Sequence, residues 1–389
     1  MMNNQKSNSL PAVVAGGGLN ALGVVRSLGT AGIPVIVVDT DPKSPAMRSR
    51  YGRKLLCASL EGKSFVDFVL DMARRYPEPL VLFATEEKTV ETVSEFRDQL
   101  APAFRLRQPG HERLMALMHK QGFQELAESV GAPVPRTVRL ESKADLARIG
   151  DLKYPCVLKP SKKDYGYGAR FKKAYKVSSP DEAAALYEEI FPVLADMVVQ
   201  EWIEGSDGDV YFCLQYLGKD GEVVSSFSGR KIRSWPPRIG GTASCTAAWE
   251  VADELAETTA AFFRQVGFVG MGSMEYKRDA RDGRFYMVEP TVARTDFQEE
   301  VASLNGVNIP AAAYRYEMGM PALPVQPVAT PQIWREPITD RWSFQENGGQ
   351  LDARSQGHAV RDAYWRWNDP QPWIDMVARR LGAKLGRSA

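Results

Sequence analysis

Cysteine is scarce in this sequence, histidine scarcer, and long apolar runs are missing. The four cysteines among 389 residues, Cys57, Cys156, Cys213 and Cys245, stand far apart without a CxxC spacing. That argues against a disulfide-stapled domain and a paired-cysteine zinc site, and it fits a reducing compartment. Three histidines leave little room for histidine-based metal or triad chemistry. No run approaches the ~18 apolar residues of a membrane-spanning helix. The opening MMNNQKSNSLP carries one lysine before a glycine-broken run, a poor match to a signal peptide. Neither sign of charge dominates. The 49 basic and 48 acidic side chains leave a net +1, so no broad basic field points to nucleic acid or an anionic membrane. The expectation is a cytoplasmic protein with neither nucleic acid nor membrane as partner.

What is present is ordinary globular material, 44% hydrophobic and 25% charged, in a chain long enough for two or three domains. AVVAGGGLNALGVVRSLGTAGIPVIVVDTD reads as strand, glycine-rich turn, helix, strand, with Leu22, Val25 and Leu28 at helical spacing. PLVLFATEEKT is another buried strand ending in a polar loop. Alternation of such strands with helical segments predicts a parallel, doubly wound sheet ending near residue 115. From LMHKQGF onward the pattern changes. YPCVLKPS, KAYKVSS and MVVQEWIEG read as strands, KKDYGYGARF as a polar glycine loop, and DVYFCLQYL with GEVVSSFSGRKI as an antiparallel pair. Near residue 322 the composition shifts to proline-rich connectors and tryptophan-rich polar segments.

The turn GGGLNA matches GxGxxG/A with Gly16, Gly18 and Ala21, and Asp39 ends the next strand about 20 residues on, as a ribose-binding acid would. Taken alone this points to a dinucleotide. Equally, glycines let any strand turn tightly into a helix.

A second feature is the hairpin SMEYKRDARDGRFYMVEPTVART. Folded symmetrically about Asp282, it puts Glu275 opposite Glu289, with Cβ atoms about 4.5–5.5 Å apart. Like charges so placed destabilise a sheet, and a divalent cation reverses that sign. Alternatively Glu275 pairs with Lys277 or Arg284 on a solvated hairpin. Arg230, Lys231 and Arg233 in SGRKIRSWPPRIGG gather three cations, suited to an acidic substrate and an acyl phosphate, or else simply solvated.

In order and spacing these features resemble the ATP-grasp superfamily over about residues 115–322. The doubly wound front resembles the domain that precedes ATP-grasp in carbamoyl-phosphate synthetase-like members. VEPTVARTDFQEEVASLNGVNIP looks like the carboxylate–amine ligases that include peptidoglycan D-aspartate ligases. The resemblance implies an α/β chain: a Rossmann-like domain (1–115), a two-lobed ATP-grasp domain (116–322, lid lobe about 136–200, large lobe about 201–322) and a small extension (323–389). It implies ATP and Mg²⁺ as cofactors. Lys120 and Lys159 would hold phosphates, with Gly166 and Gly168 in the lid over them. Glu201 would accept from the adenine amino group and the main chain at Ile203 would hold the ring edge. Asp209 falls near the ribose, or is only a turn residue in GSDGD. Glu275 and Glu289 would bind Mg²⁺. Thr291 stands where the family usually has asparagine and is a weaker ligand. Arg294 would face the transferred phosphoryl group, with Lys231 and Arg233 beside the acyl phosphate. The implied activity is ATP-dependent joining of a small-molecule carboxylate to an amine, and a homodimer is possible. The rival readings are a non-ligase ATP-grasp enzyme such as a carboxylase or kinase-like member, a nucleotide-binding regulator without turnover, and an NAD(P)-linked oxidoreductase.

Overall fold

In the computed structural model, residues 9–161, 167, 170–172, 174–238 and 240–385 are described. Three sheets carry the fold. Strands β1 (Ala12–Ala15), β2 (Val35–Asp39), β3 (Arg53–Leu56), β4 (Leu80–Ala84) and β5 (Phe104–Arg105) form a parallel sheet of order β3-β2-β1-β4-β5. Its central strands are apolar, apart from Asp39 at the end of β2, because helices cover both faces. This is the parallel, doubly wound sheet expected from the alternating pattern.

A four-stranded antiparallel sheet follows, from β6 (Thr137–Leu140), β7 (Cys156–Pro160), β8 (Tyr175–Val177) and β9 (Met197–Glu201), in order β6-β9-β7-β8. The helix Pro180–Ile190 backs it, capped by the Ser179 hydroxyl with Pro180 in its first turn.

The third sheet contains β10 (Val210–Leu217), β11 (Val223–Trp235), β12 (Gly241–Ala247), β13 (Gly270–Arg278), β14 (Phe285–Val292), β15 (Gln332–Arg335) and β16 (Ala359–Asp362), in order β14-β13-β10-β11-β12-β15-β16. The tail, read from composition as a small extension, supplies two strands to its edge. On one face Tyr211, Cys213, Met274 and Tyr276 pack under the helix Ala252–Gln265. On the other, Phe212, Leu214 and Tyr216 join one core with Ala12, Val14, Leu22 and Val25 of the first domain. The first domain therefore docks on the large sheet through a continuous apolar seam.

Polar contacts fasten that seam. Asn20 donates to the Thr85 and Thr295 carbonyls at 2.9 and 2.6 Å, and the Thr295 hydroxyl donates to Asn20 Oδ1. Asp369, fully buried in the tail, accepts from Arg26 Nε at 2.9 Å, Ser49 Oγ at 2.9 Å and the Arg50 backbone at 2.7 Å. The four cysteines are buried thiols. No helix among the described residues is long and apolar enough to cross a membrane.

Candidate functional site

On the face of the large sheet that meets the first domain, the apolar seam gives way to a cavity of about 760 Å³. Lys231, Glu275, Glu289, Thr291 and Arg294 all line it. Strand alternation explains the selection. Ser273, Glu275 and Lys277 share one face of β13, while Met274 and Tyr276 point into the opposite core.

Glu275 lies directly opposite Glu289, and Ser273 opposite Thr291. A β-bulge produces this register. Pairing runs Arg278 with Phe285, Lys277 with Tyr286 and Tyr276 with Met287, which would carry Glu275 onto Val288. The register slips by one residue there, so the exposed Val288 is skipped and Glu289 comes to face Glu275.

Lys231 holds this acidic pair in place. Its Nζ lies 2.7 Å from Glu275 Oε2, with only 5% of the lysine side chain exposed against 33% of the glutamate's. Burial pushes the Glu275 carboxyl above the usual range, Lys231 opposes that, and Asp296 and Glu289 add to it. Two adjacent carboxylates opening on a cavity suit Mg²⁺, which takes one or two protein carboxylates and completes its shell with water and phosphates. Among the described residues no group of three or more His, Cys, Asp or Glu is placed to hold an ion by itself.

Beyond β14, Ala293 adopts a left-handed backbone (φ 55°), uncommon for a residue with a side chain. The turn brings Arg294 alongside Ala84 at the end of β4. Arg294 Nη2 there donates to Glu87 Oε1 at 2.9 Å, across the domain seam. Asp296, two residues on, accepts from Ser273 Oγ at 2.5 Å and also lines the cavity. Sequence reasoning passed over Asp296, although its position two residues after Arg294 in the same loop was the available signal. It also passed over Glu87 and Glu336, whose places depend on contacts between distant segments.

The three-cation cluster is divided. Arg233 forms a two-pronged bond with Asp340 in the tail helix Pro337–Glu346, at 2.6 and 3.0 Å, and does not line the cavity. The bulge at Ile232 sets it apart from Lys231. Arg230 is buried against Asp352 and Ser355 at 2.7 and 2.9 Å. Of the three only Lys231 reaches the cavity.

Most of the residues expected to meet a nucleotide lie on the four-stranded sheet and the connection after it. Lys159, on β7, donates to Gln200 Oε1 at 2.9 Å. Glu201, at the end of β9, is buried and accepts from the Lys153 backbone at 2.8 Å. Ile203 is buried just beyond it. Asp209 accepts from the Ser206 backbone and hydroxyl at 2.8 and 2.7 Å, closing a turn. Lys120 is exposed at the start of the helix Lys120–Ser129. Gly166 and Gly168 lie outside the described residues.

At the front, the glycine-rich turn is packed rather than open over most of its length. A Cβ on Gly17 would come within 1.8 Å of Asp39 Oδ2 and 1.9 Å of Ser44 Oγ. Glu86 stands over Gly16, and burial with Asp39 and Glu61 nearby raises its carboxyl. Side chains and negative charge occupy the space a pyrophosphate would need. Gly18 alone is unobstructed, and it faces the large cavity.

No family model matches the chain. It is 22% identical over 329 residues to a D-aspartate ligase of Enterococcus faecium, covering 79% of this chain and 77% of that protein. It is 23% identical over 333 residues to the carbamoyl phosphate synthase large chain of Gemmatimonas aurantiaca, covering 79% of this chain but 28% of that one. Among solved structures, an ADP complex of N5-carboxyaminoimidazole ribonucleotide synthetase superposes with a TM-score of 0.59 at 15% identity, over 83% of this chain and 81% of that one. A biotin carboxylase domain from Hydrogenobacter thermophilus, in complex with MgADP, ADP and bicarbonate, gives 0.59 at 16% identity, over 83% and 73%. These likenesses bear out the resemblance read from the sequence: a Rossmann-like domain leads into an ATP-grasp fold.

Proposed function

We propose that this chain is an ATP- and Mg²⁺-dependent ligase that joins a carboxylate to an amine through an acyl phosphate. The convergence of Glu275, Glu289, Thr291, Lys231 and Arg294 on one cavity at the domain seam carries the reading. Similarity to a D-aspartate ligase supports it. We divide the chain as residues 1–115, 116–322 and 323–389.

Carboxylates do not acylate amines unaided near neutral pH, so a leaving group is installed first. A substrate carboxylate oxygen attacks the γ-phosphorus of ATP and ADP leaves. The amine nitrogen then attacks the acyl carbon, phosphate departs, and the nitrogen loses a proton. The protein's work is to position reactants and to meet spread negative charge. Lys120, Lys159 and the Gly166 and Gly168 loop meet the phosphates. Glu201 and Ile203 hold adenine, and Asp209 lies by the ribose. Glu275 and Glu289, with Thr291 beside them, hold Mg²⁺, which neutralises phosphate charge when bound. Lys231 and Arg294 face the transferred phosphoryl group, and Arg233 steadies the strand behind Lys231. The helix Leu19–Thr30 opens at Gly18 on the cavity, so its positive end favours a substrate anion there.

Calorimetry with Mg-ATP, NAD and NADP, followed by ADP release over carboxylates crossed with amines, tests the reading. Mg-ATP should bind, some pair should release ADP, and Glu289→Gln should abolish that release without lowering the melting temperature. Tight NAD binding without ATP binding, or near wild-type turnover in Glu289→Gln, would overturn it.

A further inference from the structure

The helix Gln371–Leu385 lies on the surface with its faces reversed. Its inward side carries charge: Asp375 pairs with Arg48, and Arg379 donates to the Lys43 carbonyl. Its outward side is apolar. Trp373, Val377 and Leu381 follow at four-residue spacing with Ile374 beside them. Trp373, Ile374 and Leu381 are 36%, 44% and 58% exposed. A surface helix ordinarily turns its apolar stripe to the core and its charges to water.

The loop before the helix extends this face. The Trp365 ring meets Trp373 with centroids 5.3 Å apart and Trp367 at 5.4 Å, and Trp367 is 87% exposed. A tryptophan left in water forgoes the large apolar burial its ring could make. Cations rim the apolar face. Lys43 and Arg380 are exposed, and Arg50 donates to the Asn368 carbonyl at 3.0 Å, next to Trp367. The nearby acids are engaged: Asp375 with Arg48, Asp41 with the Lys43 backbone, Asp362 with the Tyr364 and Trp365 backbone, and Asp369 buried against Arg26. Residues 361–389 carry six basic side chains against three acidic ones, a local excess that the even balance of the whole chain conceals.

We propose that this face docks the protein on an anionic phospholipid surface. Tryptophan rings settle at the level of the lipid headgroups, and a helix lying in that plane buries one apolar face. Lysine and arginine beside it are drawn to anionic lipid. A second copy of this chain is the poorer partner. A two-fold contact sets the same surface against itself and brings the cationic rims together. The face is also only one side of a 15-residue helix and a few rings, small beside the ~800 Å² per partner of a stable protein interface. The patch adjoins the seam cavity, since Pro45, three residues before Arg48, and Tyr364, next to Trp365, both line it. Docking therefore holds the cavity beside the headgroups. The inference stands apart from the ligase reading, and it concerns attachment to a membrane surface, not a span across it.

Co-sedimentation of the full chain with vesicles tests the surface, at low and high salt. One set is phosphatidylcholine alone and the other is phosphatidylcholine mixed with phosphatidylglycerol. The wild type should bind the mixed vesicles at least about tenfold more tightly, because each cation near an anionic surface contributes about fivefold. Salt should weaken that binding. Arg380→Gln should lower the affinity for mixed vesicles about fivefold, and Trp367→Ser about tenfold. Both side chains are exposed, so the melting temperature should not change. Equal binding to the two kinds of vesicle, no binding to mixed vesicles at low salt, or undiminished binding by Trp367→Ser would overturn the inference. So would a dimer formed without lipid and dissociated by Trp367→Ser, which would give the face to a second copy. The wild-type comparison of the two vesicles decides even if a variant does not fold.

Discussion

Replacing Lys231 by methionine isolates the electrostatics of the acidic pair. Methionine keeps the length and apolar stem of the side chain and removes the ammonium 2.7 Å from Glu275. Glu275 would then keep its partial burial and its acidic neighbours Glu289 and Asp296, without the one group that opposes them. Breaking a fully buried ion pair from one side costs about 3–5 kcal/mol. With a third of the Glu275 side chain exposed, solvent screens part of that, and about 1–3 kcal/mol is expected. An independent check agrees: two carboxylates ~5 Å apart at an effective dielectric constant of ~20 repel by ~3 kcal/mol. The loss depends on pH with a defined sign. Glu275 already has a raised carboxyl, and losing Lys231 raises it further, so the native state holds its proton to higher pH than the unfolded chain. The deficit of Lys231→Met is therefore largest above that raised value and shrinks on acidification. Mg-ADP should stabilise the variant more than the wild type. Thermal melts between about pH 5 and pH 8, with and without Mg-ADP, read all of this. A variant that melts with the wild type throughout, or whose deficit does not shrink in acid, would refute the account of the pair.

Lys159→Ala should weaken Mg-ATP binding by about 1.5–3 kcal/mol, the contribution of one charge-assisted contact, as read by calorimetry. Arg233→Met should cost about 1–3 kcal/mol in melting and leave Mg-ATP affinity unchanged, because its partner is Asp340 in the tail. Unchanged stability with lost turnover would instead give Arg233 a direct part in the chemistry. Glu299 is 1% exposed and its carboxyl is raised from 4.5 to about 8, first by burial and then by Glu300. It keeps a proton that the unfolded chain loses, so stability falls as pH rises from about 4.5 to about 8, by on the order of 4–5 kcal/mol. Glu299→Gln should flatten that slope, and a slope equal to that of the wild type would disprove the assignment.

Periodicity made the first domain legible. Strands buried on both faces read as unbroken apolar runs, and the helix between β1 and β2 showed its stripe at Leu22, Val25 and Leu28. The glycine-rich turn was the misleading element. GGGLNA has the spacing of a phosphate cradle, but whether a cradle is open depends on what stands over it. Asp39, Ser44, Thr85 and Glu86 reach it from three later segments that carry no local mark of doing so. The acidic pair was legible for a partly mistaken reason. A hairpin symmetrical about Asp282 gives the right partner for Glu275, yet the actual turn is offset, and only the skip at Val288 restores the pairing. A bulge is set by packing on both faces: Met287 and Phe285 must stay in the core while Glu289 turns to the cavity.

The cation cluster shows where local reading ends. Three basic residues on one strand look like an anion site because the partners of two of them lie more than a hundred residues away: Asp340 is 107 positions from Arg233 and Asp352 is 122 from Arg230. Opposite charges drawn from a remote segment convert a candidate binding field into structural fastening, and the same segment delivers Glu336 and Tyr364 to the cavity. The tail thus acts twice on one site. It removes two positive charges from the strand that carries Lys231, and it adds a negative one to the wall. Both changes leave Lys231 and Arg294 as the cationic side chains that line the cavity among the described residues. A relative with the same large sheet and a different tail should therefore present a different wall to this cavity.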